Sequence, residues 1–104
     1  SLVANPPDRL KLRNYWGTTV TITELHHELL TAPTGSGVTI EFRRNGTAVH
    51  TATINAGSTK VDYTGLAIAW AAETDTIEVV PTAVGSSTPG STLVSTAVGT
   101  VAGT

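Results

Sequence analysis

A chain of 104 residues with 6 Lys and Arg against 8 Asp and Glu carries a net charge of −2, without the basic excess that marks a nucleic-acid binder. Cys and Met are both absent, which excludes disulfides and thiolate metal sites and leaves the core to Val, Ile, Leu and a few aromatics. The length suits one domain with a modest core. No apolar run is long enough for a membrane-spanning helix, and Ser1-Leu2-Val3-Ala4-Asn5-Pro6-Pro7 lacks the basic-then-apolar order of a secretory leader.

Pro6 and Pro7 stiffen an extended N-terminal arm, because Pro fixes φ and has no backbone donor. Residues 1–16 are read as this arm plus a first strand, in which Leu10 and Leu12 alternate with Lys11 and Arg13; residues 17–104 are read as a β-sandwich domain. Gly17 permits a turn after Trp16. Residues 18–30 are strand-like but change phase: Val20 and Ile22 lie on even positions, Leu25 and Leu29 on odd ones. A β-bulge near Thr23 to Leu25 reconciles them. A helix over residues 24–30 would also put Leu25 and Leu29 on one face, but seven residues flanked by Thr make a marginal helix, so the strand is preferred.

Residues 31–37 form a loop by composition. Val38, Ile40 and Phe42 then alternate with Thr39, Glu41 and Arg43, a period of two that makes one face apolar. Asn45-Gly46 tolerates positive φ at both positions and favours a type I′ hairpin turn. A two-residue turn would pair Arg44 with Thr47, Arg43 with Ala48, Phe42 with Val49 and Glu41 with His50. A turn at residues 55–58 precedes two short strands, 59–63 and 66–70, around Gly65. After a turn at 71–75, residues 76–80 form a strand with Ile77 and Val79 inward, which Pro81 weakens at its end or places at a sheet edge. Residues 85–91 are the longest loop, and 92–101 the closing strand.

About eight short strands with turn signals every eight to twelve residues have the spacing of a sandwich or barrel. The expected fold is all-β: an antiparallel two-sheet β-sandwich, jelly-roll-like. An immunoglobulin-like sandwich is the second choice, although the Cys pair that would argue for it is missing. If every strand reverses direction, loops 31–37, 55–58 and 71–75 gather at one end. The turn at 45–46, the bend near Gly65 and loop 85–91 then gather at the other.

From Thr31 onward the order of landmarks is distinctive. Thr31-Ala32-Pro33-Thr34-Gly35 leads to Asn45-Gly46-Thr47, Thr53-Ile54-Asn55-Ala56-Gly57, Asp75-Thr76-Ile77-Glu78-Val79 and Val84-Gly85-Ser86-Ser87-Thr88-Pro89-Gly90-Ser91-Thr92-Leu93. This resembles a β-sandwich module of tailed-bacteriophage virion proteins, including head decoration and tail or fibre components, over about residues 20–98. The chain departs from that pattern at Thr74, where Gly is usual, and at Ala97-Val98-Gly99, which is less regular than the usual alternating strand. The resemblance implies a non-enzymatic virion protein, commonly oligomeric; for capsid decoration a trimer is the expected form. Its expected partners are the major capsid protein or other virion proteins, with neither nucleic acid nor membrane involved.

The candidate sites are partner-binding ones: Leu2, Pro6, Pro7, Arg9, Tyr15 and Trp16 on the arm and its end, and Arg43 and Arg44 beside the hairpin tip. Trp70 reads as core; Trp16 reads either as a lid on the core or as an exposed anchor. His26 and His27 are strand neighbours on opposite faces and cannot share an ion, and His26 with Glu24 or Glu28 lacks a third ligand. Asp75 reads as a turn residue bonding its own backbone, and Asn45-Gly46-Thr47, formally a glycosylation sequon, as turn chemistry. No catalytic, cofactor-binding or metal-ligating set is assigned; no Ser lies in a nucleophile elbow and no Gly-rich phosphate loop precedes a helix. The expected role is capsid decoration through the arm and end loops. The alternative is a tail or fibre module whose loops 31–37 or 85–91 touch a host glycan, although neither loop carries an aromatic residue.

Overall fold

The computed structural model describes residues 2–6 and 11–101, so Pro7, Arg9 and Leu10 lie outside the described residues. Eight strands follow in chain order: β1 (Lys11–Arg13), β2 (Val20–Thr31), β3 (Val38–Arg44), β4 (Thr47–Ile54), β5 (Lys60–Tyr63), β6 (Ile68–Trp70), β7 (Thr76–Ala83) and β8 (Ser91–Val101). They form two antiparallel sheets, as the turn spacing predicts. One sheet has the order β1-β7-β3-β4; the other is built on β2, which pairs with β5, β6 and β8. β8 follows β2 along nearly its whole length. β5 and β6 pair with two separate stretches of β2 and therefore share its other edge.

Residues 24–30 are strand, not helix, and the phase change resolves as expected. Ile22 pairs with Gly99 and Glu24 with Val98, which leaves Thr23 as a bulge. The bulge turns Leu25, His27 and Leu29 onto the same buried face as Val20 and Ile22.

Three sequence expectations need correction. Asn45 and Gly46 have φ of 54° and 83°, so the tight turn forms. The hairpin register nevertheless slips: Arg43 pairs with Ala48 but Phe42 pairs with His50, leaving Val49 as a bulge. Glu41 therefore faces Thr51, and His50 turns inward with Ala52 and Ile54. Second, β7 runs past its expected end at Val80 to Ala83, while Pro81 takes the expected edge position, since β1 covers β7 only from Thr76 to Glu78. A bulge at Thr82 accommodates the ring (Ile40 pairs with Pro81 and Thr39 with Ala83), and the Pro81 carbonyl accepts the Asn5 amide at 2.7 Å. Third, the chain does not reverse at Gly65. β5 and β6 are both antiparallel to β2 and lie in line, with the break between them opposite the Thr23 bulge, where the Leu66 amide donates to the Thr23 carbonyl at 2.9 Å.

That missing reversal re-sorts every later loop. Turn 45–46 joins loop 71–75 at what we call the hairpin end, through Asn45 Nδ2 on Asp75 Oδ1 at 2.8 Å. Loops 31–37, 55–58 and 85–91 meet at the opposite end, through a Thr34–Thr88 bridge and the Gly57 amide on the Pro33 carbonyl.

The core has two clusters. Val20, Ile22, Leu25, Phe42, Ile68, Trp70 and Ile77 fill the hairpin end. Leu29, Val38, Ile40, Ala52 and Ile54 fill the other, with Leu2 packed against them. His27 lies between Leu25 and Leu29 on β2, at the seam between the clusters.

Candidate functional site

The most exposed aromatic surface is built where β1 ends. Asn14 is fully buried and saturates its side chain locally. Its Nδ2 donates to the carbonyls of Thr18 at 2.9 Å and Trp70 at 2.7 Å, and its Oδ1 accepts the Trp16 amide at 2.8 Å. The Asn14 carbonyl accepts the Glu73 amide at 2.6 Å, and Arg13 donates to the Glu73 carbonyl at 3.1 Å. Gly17, at φ 80°, swings the chain back toward β2. These bonds fix the backbone of a short loop from both sides and hold its two aromatic rings in the open.

Tyr15 is 74% exposed and Trp16 65%. Trp16 meets buried Trp70 edge-on, with ring centroids 6.1 Å apart, and borders a recess of about 200 Å³ lined also by Val20, Ala97, Gly99 and Val101. Trp70 is held in turn by its Nε1 donating to the Asp75 carbonyl at 3.0 Å. Trp16 thus fits both sides of the sequence alternative: it packs on core Trp70 and leaves most of its surface exposed. Such a ledge offers apolar area and π-faces at low entropic cost, the chemistry of an interaction anchor.

The other sequence-derived residues are not gathered here. Leu2 and Pro6 are half-buried, and the Leu2 amide donates to the Gly90 carbonyl at the opposite end of the molecule. Arg43 is held on Glu41 at 2.8 Å, and Arg44 donates to the Ala69 carbonyl at 2.8 Å. Pro7 and Arg9 fall outside the described residues. Asn14, which positions the ledge, escaped the sequence reading; a lone Asn before an aromatic pair and Gly17 was its only signal.

The histidines divide by face, as strand alternation requires. His26 lies on the outer face between Asp62 (2.7 Å) and Glu24 (2.9 Å). Hydrogen bonds to Asp62 and then Glu24 raise its pKa, and the same bond lowers that of Asp62. His27 faces inward with Nδ1 2.7 Å from Ser95 Oγ. Burial, then the charges of His50 and His26, push it down to about 4. His50 packs edge-on against Tyr63 at 4.6 Å, and burial lowers its pKa too. Asp75 bonds its own turn: Oδ2 accepts the Ala71 amide at 2.9 Å.

Among the described residues no group of three or more His, Asp and Glu is arranged to hold a metal ion. Comparison with protein-family models, with curated proteins and with solved structures finds no match to this chain.

Proposed function

We propose that this chain is a non-enzymatic structural module of a bacteriophage virion, a capsid decoration protein that docks on the major capsid protein or another virion protein. The observation that carries the docking role is the exposed Tyr15–Trp16 pair, held on a rigid loop by buried Asn14. The virion setting rests on the turn-motif resemblance over residues 20–98. The arm contributes by bracing β7 and the loop-rich end, where Leu2 and Asn5 are tied down, while the ledge at the hairpin end makes the contact. A cluster of aromatic anchors suits a surface that must seat reproducibly on a repeating lattice, where many modest contacts add through multivalency.

One observation favours a second reading, a tail or fibre module that binds a host glycan. Exposed aromatic faces are platforms for apolar sugar faces, and the ledge supplies the aromatics that loops 31–37 and 85–91 lack. Co-sedimentation with undecorated phage heads distinguishes the two. Decoration requires saturable binding that the Tyr15→Ala, Trp16→Ala double variant loses while its fold, followed by circular dichroism, is retained. Binding to host-surface glycan but not to heads transfers the ledge to the second reading. Binding to heads that ignores both substitutions overturns the assignment of the contact.

A further inference from the structure

The second strong feature of the molecule is the free edge of the β2 sheet. β8 pairs with β2 on one side, and among the described residues no strand pairs along the other side of residues 93–99. A long open edge presents unpaired N–H and C=O groups, and proteins normally guard it with Lys, Glu or Pro. The strand itself carries no such guard: no charged residue occurs from Val79 to Thr104, and β8 holds no Pro. Val94 and Val98 on its outward face are 49% and 42% exposed.

The sequence along this edge is self-complementary. Regular strand geometry starts after Thr92, whose φ is 49°, and the next seven residues read Leu93-Val94-Ser95-Thr96-Ala97-Val98-Gly99. An antiparallel pairing about a two-fold axis at Thr96 sets Val94 against Val98, Thr96 against itself, Ser95 against Ala97, and Leu93 against Gly99. On the outer face like meets like among β-branched residues, the favoured cross-strand pairs. On the inner face the one large side chain meets the residue that has none. Gly99 borders the recess of about 200 Å³ beside Trp70, which gives a facing Leu93 somewhere to go. An added Cβ at Gly99 would lie 2.8 Å from the Thr21 carbonyl oxygen, so the gap is kept open by β2 itself.

We infer that the partner of this edge is a second copy of the same chain, joined β8 to β8 in an isologous two-fold dimer with one continuous sheet across the contact. The contact uses a different surface from the Tyr15–Trp16 ledge and stands without the docking role proposed for it. It also replaces the expected trimer with a two-fold assembly, since a strand paired with its own symmetry mate closes at two copies.

The test compares two double variants with equal numbers of introduced charges. V94K/V98K sets Lys against Lys across the axis; V94E/V98K sets Glu against Lys twice. Both sites are exposed, and on the neighbouring β2 they lie beside Glu28 and Glu24; Lys suits either site, whereas V94E opposes Glu28, so the fold of V94E/V98K is checked by circular dichroism. Sedimentation equilibrium should return twice the chain mass of 10.7 kDa for the native protein and V94E/V98K, and the chain mass for V94K/V98K. Amide exchange at residues 93–99 should slow as the native protein is concentrated. A native protein that stays at the chain mass, or an assembly that V94K/V98K leaves intact, overturns the inference; the native mass and exchange data decide it even if a variant fails to fold.

Discussion

Asn14 does more than any other single side chain to connect sequence to surface. Its three bonds tie two carbonyls and one amide to a side chain that is itself fully buried. Removing a buried partner leaves those groups unsatisfied at about 1–3 kcal/mol each before relaxation. Asn14→Ala should therefore destabilise the fold by roughly 2–4 kcal/mol in urea titration and weaken the proposed docking with it. Tyr15 and Trp16 contribute little to folding beyond the Trp16–Trp70 edge contact, worth about 0.5–1.5 kcal/mol, so their truncation separates docking from stability where Asn14→Ala does not. The exposed aromatics were legible from their place beside a Gly at a strand end. Their exposure was not, because it depends on the bond that Asn14 donates to the Trp70 carbonyl, 56 positions away in sequence.

At the scale of elements, the hairpin tip is conformationally demanding. Gly46 at φ 83° occupies a region that costs a residue with a Cβ roughly 1–2 kcal/mol. Gly46→Ala should lower stability by about 1 kcal/mol, read as a shift of the urea midpoint without a change in slope. The Thr23 bulge was legible because it sits between strongly apolar residues whose phase visibly changes. The Val49 bulge was not: Thr47-Ala48-Val49-His50-Thr51 contains no strong inward marker, and a slip of one residue brings His50 inward while Val49 still packs against the hairpin-end core. Gly65 misled for a similar reason, since a Gly between short strands reads as a reversal. Only pairing of both flanking strands to β2 reveals one interrupted strand, and that single miscount displaced the predicted position of each later loop.

The whole molecule should respond to acid through its inward histidines. The folded state keeps His27 neutral down to about 4, whereas the unfolded chain takes up the proton near 6.5. Stability thus falls as pH drops from about 6.5 to about 4, by roughly 3 kcal/mol for this group alone, and His50 acts in the same sense. His26 acts oppositely: its raised pKa contributes stability that is present below 6.5 and lost as pH rises through the raised value. Asp62 adds stability above 3.8, lost as pH falls through its lowered value. Thermal midpoints measured across this range should decline toward acid, and His27→Leu, which continues the Leu25–Leu29 stripe, should flatten the decline. An acid profile unchanged by His27→Leu would contradict the burial argument.

The interruption between β5 and β6 has a further use. Thr64 and Gly65 are exposed, and a Cβ at Gly65 meets nothing within 4 Å. The site opens sideways from the sheet margin opposite β8 and away from both loop-bearing ends. A foreign peptide grafted there would turn the lateral face of the domain into a display platform, away from the aromatic ledge and the β8 edge.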